Sequence, residues 1–117
     1  MNTLPNAQKD ERPWGNFERF TLNEISTVKI ITVNPHQSLS LQRHQNREEY
    51  WRIIAGSGYA TVDENRREIH AGDDVYIPKQ GIHRIESGAE TLVFMEIAFG
   101  TFDENDIERL EDKYGRT

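Results

Sequence analysis

Short apolar and β-branched runs separated by polar turn signals follow one another along this chain after Trp14, the pattern of strands in a sheet that buries one face. Ser38–His44 alternates plainly: Leu39 and Leu41 fall on one side, Ser40, Gln42 and His44 on the other. Thr27–Val33 is dense in β-branched residues, which favour extended backbone, and Asn34-Pro35 ends it. Phe17–Leu22, Glu49–Ile54, Tyr59–Val62, Arg67–His70, Asp74–Ile77, His83–Ile85 and Thr91–Ala98 read as further strands. Turn signals such as Gly56-Ser57-Gly58 and Asp63-Glu64-Asn65 separate them. The gaps are too short for crossover helices, so the strands are expected to pair antiparallel. Eight or more short strands in 117 residues predict an all-β sandwich or barrel. Asn105–Asp112 is the one helix candidate, with Ile107 and Leu110 packing onto the sheet and Gly115 ending it. Residues 1–11 read as a flexible N-terminal arm and 12–117 as a single domain.

Composition narrows the chemistry. There is no cysteine, so disulfides and thiolate ligands are excluded and any metal must take nitrogen and oxygen donors. A net charge of −6 argues against nucleic-acid binding. The polar first ten residues contain no signal-peptide core, and no apolar run is long enough to span a bilayer. Together with the missing cysteines this predicts a cytoplasmic protein with no membrane partner. Charge is uneven: Asp103, Glu104, Asp106, Glu108, Glu111 and Asp112 crowd the C-terminal stretch, while Arg43, Arg47, Lys79 and Arg84 lie near histidines. Local basic residues there could attract a small anion, although ordinary surface charge explains them more simply.

Gln42 and His44, two apart on one strand, leave the same face, and Glu49 opens the next strand and can face back toward them. Gly72, Pro78 and Gly81 shape a strand–loop–strand unit that lands His83 on a neighbouring strand. Two imidazoles, a carboxylate and an amide oxygen suit a borderline or hard divalent cation. Spacing alone leaves open that His44 and His83 are merely hydrogen-bonded and that Glu49 belongs to a solvated charge run. His36, beside a proline, and His70, before a turn, read as ordinary hydrogen-bonded side chains. Trp14, Trp51, Tyr59 and Phe94 could stack on a sugar but read better as core.

The stretch Gln42–Ala60, QRHQNREEYWRIIAGSGYA, resembles the metal-binding segment Q-x-H-x-H-R-x-E-H-W of type II mannose-6-phosphate isomerases. The resemblance extends to Arg12-Pro13-Trp14-Gly15, Ile31-Thr32-Val33-Asn34-Pro35, Leu39-Ser40-Leu41, Tyr76-Ile77-Pro78 with His83-Arg84, and Tyr114-Gly115-Arg116. It implies a cupin-type, jelly-roll-like antiparallel β-barrel, here the isomerase domain alone without the guanylyltransferase domain that often precedes it. The family's metal ligands fall on Gln42, His44, Glu49 and His83, holding one divalent ion, zinc first, with Mn, Fe, Co or Ni as alternatives. Its two arginines fall on Arg47 and Arg84, expected at the phosphate or enediolate of a sugar-phosphate substrate. Gln45, Asn46 and Tyr50 stand where the family has histidines, and His36 where it has a glycine.

The implied reaction interconverts mannose 6-phosphate and fructose 6-phosphate through an enediol, which needs a base, an electrophile and an anion anchor. Lys29, on the inward parity of its strand, and Glu96, inside the apolar run Leu92–Ala98, are the candidate bases. The competing expectation is a non-catalytic metal-bearing barrel that binds a sugar or small organic anion; a metal-dependent oxygenase stands third. Small cupins of this kind often pair through sheet edges, so a homodimer is expected.

Overall fold

The computed structural model describes Leu4 and residues 7–115. Eleven strands and no helix make up these residues: β1 Gln8–Arg12, β2 Gly15–Arg19, β3 Ser26–Val33, β4 Leu41–Arg43, β5 Glu49–Ala55, β6 Ser57–Val62, β7 Asn65–His70, β8 Asp74–Ile77, β9 His83–Ser87, β10 Leu92–Phe99 and β11 Glu108–Glu111. β1 and β2 form a hairpin. The others form two antiparallel sheets, ordered β3-β10-β5-β8 and β11-β4-β9-β6-β7.

The two sheets face each other over one core, and strand alternation decides what enters it. From β5, Trp51 and Ile53 point in; from β10, Leu92 and Phe94; from β8, Val75 and Ile77; from β9, Ile85; from β7, Ile69. Phe94 and Trp51 meet at 5.3 Å between ring centroids. The chain crosses from one sheet to the other between β5 and β6 at Gly56. Its φ is +81°, and a Cβ there would lie 2.1 Å from the Thr91 carbonyl oxygen, so only glycine fits.

Two expectations are corrected. The first concerns the C-terminal stretch, which is a strand. β11 pairs with β4 in the register Glu108↔Arg43 and Arg109↔Gln42 and covers what would otherwise be a free sheet edge. Edge pairing outweighs helical spacing here: Ile107 is half-buried, while Leu110, which a helix would have buried beside it, stays exposed.

The second concerns the arm. Residues 8–11 lie in β1, paired with β2 around a two-residue turn at Pro13-Trp14. The base of this hairpin is clamped by Arg52, which donates to both Glu18 oxygens at 2.9 and 2.7 Å, donates to Asp74 and stacks on Phe20. Arg52 therefore holds the Glu18 carboxyl below its usual value. Leu4 and Phe20 pack against Tyr50 and Ile97 on the outer face of the β3-β10-β5-β8 sheet. Residues 1–3, 5 and 6 of the expected arm, and 116–117, lie outside the described residues. Trp14, expected in the core, is 73% exposed at the hairpin turn.

Candidate metal centre

One end of the barrel interior is polar. Inward positions there are filled by Glu49 of β5, Glu96 of β10, His83 of β9 and Lys29 of β3, with His44 just past β4. His44, Glu49 and His83 are all but fully buried, and each offers a donor atom within 4.8 Å of the others. His44 Nε2 lies 3.3 Å from Glu49 Oε2, and His83 Nε2 lies 3.8 Å from Glu49 Oε1.

Hydrogen bonds aim both imidazoles. His44 Nδ1 is 2.6 Å from the Asp106 carbonyl oxygen, and His83 Nδ1 is 2.8 Å from that of Gly81. A carbonyl only accepts, so each Nδ1 carries a proton and each Nε2 is left on the Glu49 side of its ring. Outer hydrogen bonds of this kind hold metal-ligating histidines in place. His83 Nε2 is fully buried and has no hydrogen-bond partner among the described residues. An orphaned buried acceptor is costly unless something occupies it. Burial also pushes the His83 pKa down, only partly opposed by Glu49, keeping the ring neutral. The donor chemistry, the burial and the orphaned lone pair fit a divalent cation.

Gln42 lines the same cavity, and its Oε1 accepts from the Ser40 hydroxyl at 2.9 Å. Arg47 runs beside the cluster. It donates to Glu49 Oε2 at 3.0 Å and to the Asp103 carbonyl at 3.2 Å, approaches His44 Nε2 at 3.3 Å and stacks over Phe102. Its positive charge balances that of the buried Glu49 carboxylate.

The cavity above these groups has a volume of about 630 Å³. Glu96 reaches it from its floor. Burial, and then the neighbouring Glu49 charge, push the Glu96 carboxyl up to about 7. Lys29, paired with Glu96 across the sheet, stands at the exposed mouth with its Nζ 4.3 Å from the centre of the Phe102 ring.

Arg84 is a correction. It follows His83 on β9 and so points to the opposite face, where it donates to the Leu39 carbonyl and to Glu111 Oε1. It does not line the cavity. Sequence reading also missed Phe102, Ile107 and Arg109, which line the cavity from the C-terminal segment. Ile107 and Arg109 share strand parity, the one signal available, and the helical reading of that stretch concealed it.

The three positions that depart from the family's histidines do not line the cavity. Gln45 and Asn46 have exposed side chains and use their backbone N–H groups to bind the Asp106 carboxylate. Tyr50 faces the outer side of its sheet, against Phe20. His36 and His70 also lie outside the cavity.

Residues 2–112 match the family described as mannose-6-phosphate isomerase C-terminal. The alginate biosynthesis protein AlgA of Pseudomonas putida is 41% identical over 108 residues, covering 91% of this chain and 22% of AlgA. The mannose-1-phosphate guanylyltransferase ManC of Salmonella typhimurium is 36% identical over 107 residues, covering 90% of this chain and 22% of ManC. The chain thus spans about a fifth of the length of these relatives. Among solved structures, a Cupin 2 conserved barrel domain protein from Salinispora arenicola superposes with a TM-score of 0.61 at 25% identity, covering 81% of this chain and 75% of the other. The fold is a cupin-type antiparallel barrel.

Proposed function

The chain belongs to the mannose-6-phosphate isomerase C-terminal family, and from that premise we propose that it interconverts mannose 6-phosphate and fructose 6-phosphate in the cytoplasm. Gln42, His44, Glu49 and His83 would hold one divalent cation, zinc by the match of its preferences to two imidazoles and two oxygens. That cation would polarise the substrate oxygens at C1 and C2. The observation that carries the reading is the buried His44–Glu49–His83 cluster, with its orphaned Nε2, at the floor of a sugar-sized cavity.

The remaining work falls to side chains. Glu96 is the better placed of the two candidate bases: it is buried at the cavity floor, whereas Lys29 stands at the mouth. Its carboxylate would take the proton from C2 of the open-chain aldose and return it to C1, while a hydroxyl proton passes from O2 to O1, giving the ketose. Lys29 would serve as a cation at the cavity entrance, and Arg47 would hold the Glu49 side chain in place beside the histidines. Arg84, engaged elsewhere, has no place in this scheme. Because Gln45, Asn46 and Tyr50 do not line the cavity, their departure from the family pattern would remove no group from the reaction path.

The deciding experiment is a coupled assay of the zinc-loaded protein against a panel of hexose phosphates, repeated with Mn, Fe, Co and Ni. Metal-dependent formation of fructose 6-phosphate from mannose 6-phosphate is expected. Binding without turnover would replace the isomerase by a non-catalytic sugar-phosphate binder; neither binding nor turnover would remove both. A homodimer is part of the same reading: β3 is an edge strand whose outer residues Val28 and Ile30 are exposed. A monomer by light scattering at micromolar concentration would refute that part alone.

A further inference from the structure

We propose that Arg109 is the phosphate anchor of the cavity, which makes the C-terminal strand β11 part of the substrate site. The sugar-phosphate identity of the ligand rests on the proposed isomerase function; the anion site itself rests on the position of Arg109 and on its unsatisfied donor.

Arg109 sits in a row that leads to the metal cluster. It pairs with Gln42 across β11 and β4, and Gln42 pairs with His83 across β4 and β9. Two strand steps, about 10 Å, therefore separate the Arg109 backbone from that of His83. Arg109, Gln42 and His83 occupy one row and leave the sheet on the same face, so an open-chain hexose phosphate lying across that face can reach from the cluster to the guanidinium. The sugar's C1 end would meet the cluster and its phosphoryl end the guanidinium.

Arg109 is also uncommitted, unlike its neighbours. Arg47 is held by Glu49 and the Asp103 carbonyl, Arg84 by Glu111 and the Leu39 carbonyl, and Arg43 by Glu108. Arg109 lines the cavity with its Nε buried and no hydrogen-bond partner to that atom among the described residues. A buried guanidinium donor without an acceptor calls for one that arrives with a ligand. The planar fork of arginine matches the paired oxygens of a phosphate monoester, and Lys29 across the mouth adds a second positive charge.

The strand that carries Arg109 is tied to the ligand shell. The Asp106 carboxylate accepts from the backbone N–H groups of Gln45 and Asn46 at 2.8 and 2.9 Å, and the Asp106 carbonyl accepts from His44 Nδ1. Arg43 and Arg84 pin Glu108 and Glu111 on either side of Arg109. Anchor and metal ligand are thus held in one frame.

The test uses inorganic phosphate as the probe, titrated into zinc-loaded protein by calorimetry and by ³¹P NMR. Arg109→Gln should weaken phosphate binding by about 10–100-fold, the range for a charge-assisted hydrogen-bond pair. Arg109→Lys should recover part of it, and Arg84→Gln should leave it unchanged. Zinc content and the urea midpoint of each variant establish that ligand shell and barrel persist; Arg109→Lys, which keeps charge and length, serves if the glutamine variant does not fold. With the isomerase active, KM for mannose 6-phosphate should rise in Arg109→Gln by more than kcat falls. If phosphate binding depends on Arg109 but no hexose phosphate is turned over, the isomerase reading falls and the anion site stands. Phosphate binding that is absent from the wild-type protein, or equal in wild type and both Arg109 variants, overturns the proposal.

Discussion

Arg47 offers the sharpest test of the electrostatics inside the barrel. It is 8% exposed, and its partner Glu49 is 1% exposed. Arg47→Met keeps most of the volume but leaves the Glu49 carboxylate buried, with the Trp51 Nε1–H at 3.3 Å as its main remaining donor among the described residues. Removing one member of a buried ion pair costs about 3–5 kcal/mol, a large share of the roughly 5–15 kcal/mol that holds a domain folded. That loss is expected for the metal-free protein. In the zinc-loaded protein the bound cation compensates Glu49, so the loss should shrink to about 1–2 kcal/mol, reflecting the lost hydrogen bond to the Asp103 carbonyl and the lost stacking on Phe102. Urea unfolding followed by tryptophan fluorescence reads both states. With a slope of roughly 2 kcal/mol/M, the metal-free midpoint should fall by about 2 M and the loaded midpoint by about 0.5–1 M. In a Glu49→Gln background the Arg47→Met cost in metal-free protein should largely vanish, since no buried charge remains to be abandoned. A metal-free loss below about 1 kcal/mol, or equal losses with and without zinc, would refute the reasoning.

Further expectations concern single sites. Gly56→Ala must both adopt a positive φ and displace the Thr91 carbonyl; a loss of about 3 kcal/mol is expected by thermal melting, and one below about 1 kcal/mol would contradict the close approach. His83→Ala should lose stoichiometric zinc by elemental analysis while its far-UV circular dichroism stays that of a β-barrel; full zinc occupancy would dissolve the proposed ligand set. Arg84→Ala should leave zinc content and KM for mannose 6-phosphate unchanged and cost about 1 kcal/mol from its lost bonds to Leu39 and Glu111; a raised KM would put Arg84 back at the substrate. For acid, Glu18 has a folded pKa below its ordinary 4.5, so its contribution to hairpin docking is complete above pH 4.5 and declines as pH falls through the lower folded value. Amide exchange in β1 and β2 should accelerate in that window and lose its pH dependence in Glu18→Gln.

Much of this protein can be read from its residues in order. β-branched and apolar runs bounded by turn signals located β3, β5, β8 and β10 closely, because the preference for extended backbone and the chemistry of turns are local properties of the chain. Strand parity put Lys29 on the inward side, the apolar run around Glu96 marked it as enclosed, and the resemblance named a ligand set whose histidines and glutamate do meet. Closure of the barrel decided the rest. Asn105–Asp112 carries helical spacing, yet the free edge of β4 supplied a pairing partner that local propensity does not register. Gln8–Arg12 reads as polar arm, yet Arg52, distant from Glu18 in sequence, clamps the hairpin to the outer sheet. Arg84 and Arg109 illustrate the limit best. Both are arginines near acidic residues; Arg84 turns outward because it alternates with His83 on its own strand, whereas Arg109 reaches the cavity only because β11 pairs with β4. A side chain's face follows from its own strand, but the neighbours it meets there depend on which distant strands share an edge, and that is settled only when the whole sheet closes.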